Sequence, residues 1–242
     1  MRYSIVAAVM AASAATAACG HNRSEDGGPD ISRNYQVGGF DQIEVSGPYK
    51  VQVRTGANPS VSAQGSEKMI EHMVVEVRGG TLKIRTEKRK GLFNFGRDNH
   101  GEVNLVVTVP ALRGASIAGS GDIAVNQVRG DSFDGGVAGS GSLKVDSVEV
   151  QQVQLSIGGS GEISIGSGKA KSSKIDIAGS GDIDARGLQS ESAEVSIAGS
   201  GNVTANATGT ADISIAGSGN VDLTGGAKCS IDRAGSGDVR CS

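Results

Sequence analysis

Apolar residues in the second half of the chain recur in fixed columns around a repeated Gly-Ser-Gly. The copies begin at Gly119, Gly139, Gly159, Gly179, Gly199, Gly217 and Gly235, so the spacing is 20 residues four times and then 18 twice. Two residues before each copy stand Ile117, Val137, Ile157, Ile177, Ile197, Ile215 and, in the last, Arg233. Four after stand Ile123, Leu143, Ile163, Ile183, Val203, Val221 and Val239; six after stand Val125, Val145, Ile165, Ala185, Ala205, Leu223 and Cys241. The alternation has period two on both sides of the glycines, which predicts two short strands meeting at a corner with one set of side chains inward. Self-similarity at this period predicts a solenoid, one coil per copy.

A single coil would not hold itself together. Its few buried aliphatics contribute about 1.5–3 kcal/mol each, while ordering its residues costs about 1–2 kcal/mol apiece in backbone entropy. Stability must come from stacking, each strand bonded to its equivalents above and below in parallel sheets. Upstream, "IEV", "YKVQVRT", "SVSAQG", "MVVEVRG", "TLKIRTE" and "VNLVVTVP" read as strands, with "SEKMIEHM" as a short helix. Residues 38–110 are therefore expected to form N-terminal coils and a β cap, and 111–242 the repeat body; a separate small β domain is the alternative.

The terminal copies differ from their siblings. Arg113, six before the first corner, and Arg233 place charge at nominally inward positions, as end coils would. Cys229 and Cys241 mirror each other across the last corner, six residues to either side, and are expected to form a disulfide stapling the open end; two unpaired thiols are the alternative.

Composition narrows the picture. With 38 Gly, 4 Pro, no Trp and 3% aromatic residues, the core must be narrow and filled by Ile, Val and Ala. A net charge of −3 without a basic face argues against nucleic acid. Residues 1–18 carry Arg2 and an apolar run from Ile5 to Ala18, too short to span a bilayer, and read as a signal peptide. "TAAC" at 16–19 resembles a bacterial lipobox with Thr16 where Leu is usual, so Cys19 is the expected lipidation site; "ATA" at 15–17 would equally suit an ordinary signal peptidase. Residues 19–37 read as the lipidated Cys and a flexible tether.

The repeats, together with "GGFDQIEVSGPYKVQV" and "VEVRGGTLKI", resemble the DUF2807 family, the putative auto-transporter adhesin head GIN domain. The resemblance spans about residues 38 to 242. It implies an all-β fold: a single-chain right-handed parallel β-helix, or β-solenoid, with 18 to 20 residue coils, on exported and often lipid-anchored bacterial proteins. It carries over no catalytic residues.

Candidate chemistry is sparse. The residue after each copy is Asp122, Ser142, Glu162, Asp182, Asn202, Asn220 or Asp238, which makes Asp122, Glu162, Asp182 and Asp238 weak calcium candidates. The interleaved Ser and Asn suit a column that avoids stacked carboxylates, and Asp and Asn commonly close turns by bonding their own backbone. A nucleotide loop would need a helix after the glycines, where a strand is expected. Three histidines, His21, His72 and His100, leave little for a zinc site or a catalytic triad. The outward positions Ser116, Ser156, Asp176, Ser196, Ser214 and Asp232 form a small, polar, monotonous strip. In "KRKGLFNFGRDN", Phe93 and Phe95 sit among Lys88, Arg89, Lys90 and Arg97; Phe93, Phe95, Lys90 and Arg97 make a candidate contact loop for an anionic glycan or lipid headgroups, the alternative being phenylalanines that cap the core.

These readings converge on a non-catalytic adhesion, binding or structural module of the cell envelope without a cofactor. It is expected at the outer membrane through its lipid anchor, or alternatively as a soluble secreted or periplasmic protein, with an envelope glycan or protein as partner. A carbohydrate-active β-helix enzyme acting on an anionic glycan is the rival.

Overall fold

The computed structural model describes residues 29–87 and 101–242. The expected signal peptide, Cys19, part of the expected tether and the candidate contact-loop residues Lys90, Phe93, Phe95 and Arg97 lie outside the described residues. The rest is a β-solenoid whose strands join one sheet system.

In the repeat body each coil runs along one side, turns at Gly-Ser-Gly and returns along the next. On the side preceding the corner, β8 (Gly114–Gly119), β11 (Ser132–Gly139) and β13 (Gln152–Gly159) stack in parallel, followed by the C-terminal halves of β14 (Glu162–Gly179), β15 (Asp182–Gly199) and β16 (Asn202–Gly217), and then β18 (Lys228–Gly235). On the side after it, β9 (Asp122–Val125) and β12 (Ser142–Glu149) stack with the N-terminal halves of β14, β15 and β16, and with β17 (Asn220–Thr224) and β19 (Val239–Cys241). The two-residue β10 (Val128–Arg129) lies beside β12. The registers follow the columns of the sequence: Ile117, Val137, Ile157, Ile177, Ile197 and Ile215 are stacked neighbours, all buried. The bore also admits one ring, Phe133, because Gly135 leaves room: a Cβ there would stand 3.2 Å from it.

The drop from 20 to 18 residues per coil has a location. Between β15 and β16 the register shifts between Ala185 and Gln189 and again between Ser190 and Ser192. Beside these breaks the buried Ser190 hydroxyl donates to the Asn206 carbonyl (3.0 Å) and lies 3.1 Å from Ser173 Oγ. The pair satisfies polar backbone where the ladder is interrupted.

The N-terminal third departs from simple order along the chain. β2 (Gln42–Ser46) and β3 (Lys50–Thr55) form a coil turning at Gly47, whose φ of +133° matches the +120° to +137° of the repeat corners. This coil stacks directly on β8 and β9. Its other side is covered by β6 (Thr81–Thr86) and β7 (Val103–Val109), which come later in sequence but lie further out. The chain reaches them through β4 (Ser60–Ser66), α1 (Glu67–Glu71) and β5 (Met73–Arg78), and β5 folds back on β6 through Gly79-Gly80. Both glycines have positive φ, as a two-residue hairpin requires. β4 pairs antiparallel with β7, and β1 (Asp30–Tyr35) pairs antiparallel with β4, so the cap is antiparallel where the body is parallel.

Two expectations change. Residues 30–35, read as part of the flexible tether, are strand β1, because β4 offers them a free edge. The first Gly-Ser-Gly copy is interior, with β2 on its outer side; Arg113 is exposed and ion-paired to Asp41 (2.6 Å), so it caps nothing. Arg233 does sit in the last stacked coil and donates to the Gly237 carbonyl at 2.6 Å.

Candidate functional site

The corners are structural. From the second copy on, the Ser of each Gly-Ser-Gly donates its backbone N–H to the preceding corner's first glycine, as Ser160 does to Gly139 O and Ser180 to Gly159 O. The corners approach so closely that a Cβ on Gly181 would lie 2.5 Å from Gly161 O and 2.6 Å from Ile157 Cγ2. The glycines thus permit stacking as well as bending. Tyr49 occupies the equivalent of this third glycine in the β2–β3 coil, on which β6 and β7 stack from the outer side. Its ring is buried, and its hydroxyl lies 2.7 Å from Thr86 Oγ1. Burial pushes the Tyr49 phenol up, the Thr86 hydrogen bond opposes it, and nearby Tyr35 adds to the rise.

The column after the corners is a hydrogen-bonded ladder between coils. Ser142 donates to Asp122 Oδ1 (3.0 Å); Asn202 donates to Asp182 Oδ1 through both its backbone N–H (3.1 Å) and Nδ2 (2.8 Å). Asn220 Nδ2 donates to Asn202 Oδ1 (2.9 Å), and the backbone N–H of Asp238 to Asn220 Oδ1 (3.0 Å). These side chains join successive coils, whereas the sequence reading had each bond its own turn. Among the described residues no three His, Cys, Asp or Glu side chains are grouped as metal ligands, and of the calcium candidates Asp122 and Asp182 already accept bonds from the ladder. The histidine among the described residues, His72, is at the C-terminal end of α1.

The side before the corners carries a long, open groove of about 570 Å³. Its rim rises from two outward columns, including Asp134, Gln154, Lys174, Glu194 and Asp212, in the same registered stack. Lys174 and Glu194 form an ion pair at 2.6 Å, and Glu194 first, then Asp176, holds the ammonium above its ordinary value. Lys174 is outnumbered by Asp134, Glu194 and Asp212, so the groove is polar and net acidic. The outward strip Ser116, Ser156, Asp176, Ser196, Ser214 and Asp232 runs beside it and does point to the surface. The groove itself, one column further from the corner, was not singled out from sequence; its signal was the run of Ser132, Gln152, Ser172, Ser192 and Thr210 at coil spacing.

The two ends differ. At the last coil Cys229 and Cys241 are disulfide-bonded, with Cα atoms 6.7 Å apart, linking β18 to β19 across the corner. At the cap, Glu67 N–H donates to Pro29 O (3.0 Å) and Ser66 N–H to Glu102 O (3.3 Å). The chain therefore enters the fold at the same edge of the cap where it returns into β7. No helix among the described residues is long and apolar enough to cross a membrane.

A stapled, capped β-solenoid with polar ladders on its sides defines a class of surface-presenting scaffold. The chain belongs to the family described as "Putative auto-transporter adhesin, head GIN domain", whose model matches residues 39–227. Among solved structures it is similar to a "putative adhesin" from Bacteroides fragilis, at 24% identity and TM-score 0.78, covering 88% of this chain and 97% of that one. It is also similar to a "Putative lipid binding protein" from Parabacteroides distasonis, at 25% identity and TM-score 0.69, covering 90% and 98%. A "putative adhesin" from Parabacteroides merdae matches at 18% identity and TM-score 0.68, covering 88% and 95%. No curated protein matches the chain. The family's description supports an adhesion or binding role.

Proposed function

We propose that the protein is an exported, lipid-anchored envelope module that binds a partner along the groove before the corners. The observation that carries this reading is the registered lining of the groove: Gln154, Lys174, Glu194 and Asp212 repeat at strand spacing along an open channel. Such a surface matches an extended polymer bearing hydroxyl or amine groups better than a small molecule. The net acidity of this face turns the expected partner from an anionic glycan toward a neutral or amino-bearing one. The anchor reading rests on "TAAC" at Cys19. The cap receives the N-terminal segment, since Glu67 N–H donates to Pro29 O, so an anchor at Cys19 would tether the molecule by this end.

The test is a binding screen of envelope and extracellular polysaccharides against the protein and a Gln154→Ala, Lys174→Ala, Glu194→Ala variant. These positions are partly or fully exposed, so melting should be unchanged while binding is lost. A variant that binds every hit as tightly as the wild type removes the groove from the reading, and turnover of any hit replaces binding with catalysis. For the anchor, Cys19→Ser should move the protein from the membrane fraction to the soluble one; retention in the membrane fraction would remove lipidation.

A further inference from the structure

We infer that the outer edge of β18 pairs with a second copy of this chain, antiparallel, about a two-fold axis through Ile231. Three observations carry it. First, β18 pairs with β16 on one side, and the other side is unpaired among the described residues. Because Ser236 N–H donates toward β16, alternation along the strand leaves the N–H and C=O groups of Cys229, Ile231 and Arg233 facing outward, which is a template for another strand. Second, Ile231 is the exposed large hydrophobic residue of the described structure, at 49%, and it lies at mid-strand on this edge.

Third, the strand is complementary to itself. With Ile231 opposite the partner's Ile231, Ser230 lies opposite the partner's Asp232, and Lys228 is diagonal to that same carboxylate, twice over by symmetry. Centring the pair on Asp232 would instead oppose two carboxylates. The staple to β19 and the Arg233 bond to Gly237 O hold the edge in strand form before pairing, so little ordering is left to be done on association. The groove lies on the flank of the solenoid, so this contact stands independently of the proposed polymer site.

Sedimentation equilibrium of the protein across a concentration series tests it. A reversible dimer is expected, abolished by Ile231→Lys. Asp232→Lys should raise the dissociation constant about tenfold by setting lysines against each other, and adding Lys228→Asp should restore it. Circular dichroism should be the same for all four proteins, since all three substituted side chains are exposed. A protein that stays monomeric, assembles without limit, or dimerises equally in every variant overturns the proposal.

Discussion

Gly158 and Gly181 are close in sequence and opposite in what they tolerate. A Cβ on Gly158 meets nothing within 4 Å, whereas on Gly181 it enters the carbonyl of the corner beneath. Gly158→Ala should therefore melt within a degree or two of the wild type, while Gly181→Ala should lose about 1–3 kcal/mol, as overpacked sites do. Calorimetry of the two variants checks this, and equal melting would sink the stacking account of the corner. At this scale the sequence was partly readable. Glycine at each corner was visible as a repeat, but its second reason, the approach of one corner to the next, depends on axial spacing that no single coil displays. The Asn202 and Asn220 ladder was hidden for the same reason: its partners are 18 and 20 residues away and adjacent only once the coils are stacked.

The elements at the two ends are held by different forces. In the cap, Glu76 on β5 is ion-paired to Arg78 (2.8 Å) and Arg85 (3.3 Å). Loss of hydration pushes its carboxyl up, but hydrogen bonds from Arg78 and Arg85 outweigh this and leave it below its ordinary value. A lowered native value means the support is complete above the ordinary carboxylate range and disappears as pH falls through the native value. Amide exchange in β5 should accelerate on acidification in the wild type and become less pH-sensitive in Glu76→Gln; identical profiles would count against the pair. At the other end the disulfide closes a loop of sequence separation 12, worth about 2–3 kcal/mol by chain entropy. Reductant should lower melting and raise exchange in β18 and β19 while leaving β13 protected. The cysteine pairing was legible because both positions fell in inward columns of one copy. The inverted layering of the cap was not: Ile43 with Val45 and Leu82 with Ile84 show the same alternation, and nothing local says which pair lies outermost.

The whole molecule is a stack whose internal layers are interchangeable in principle. Deleting residues 140–159 removes one coil and joins Gly139 to Ser160, a junction every neighbouring corner already contains. The shortened protein should keep a β-rich spectrum and its disulfide, with a modestly lower melting temperature, because each coil interacts mainly with its neighbours. Failure to fold would mean the coils are not equivalent. The architecture was readable from the columns, since one repeated pattern sampled seven times constrains the register. The groove was less so, because a binding face on a solenoid is a property of what adjacent copies present together. Opposite placement of the cap and Ile231 has one more consequence. Nine strands, from β6 to β18, stand in line at about 4.8 Å apart, which makes the rod roughly 40 Å long. Two such rods meeting at Ile231 would hold their cap ends roughly 80 Å apart. The coil number would then set the distance between the two caps, adjustable in steps of one strand spacing.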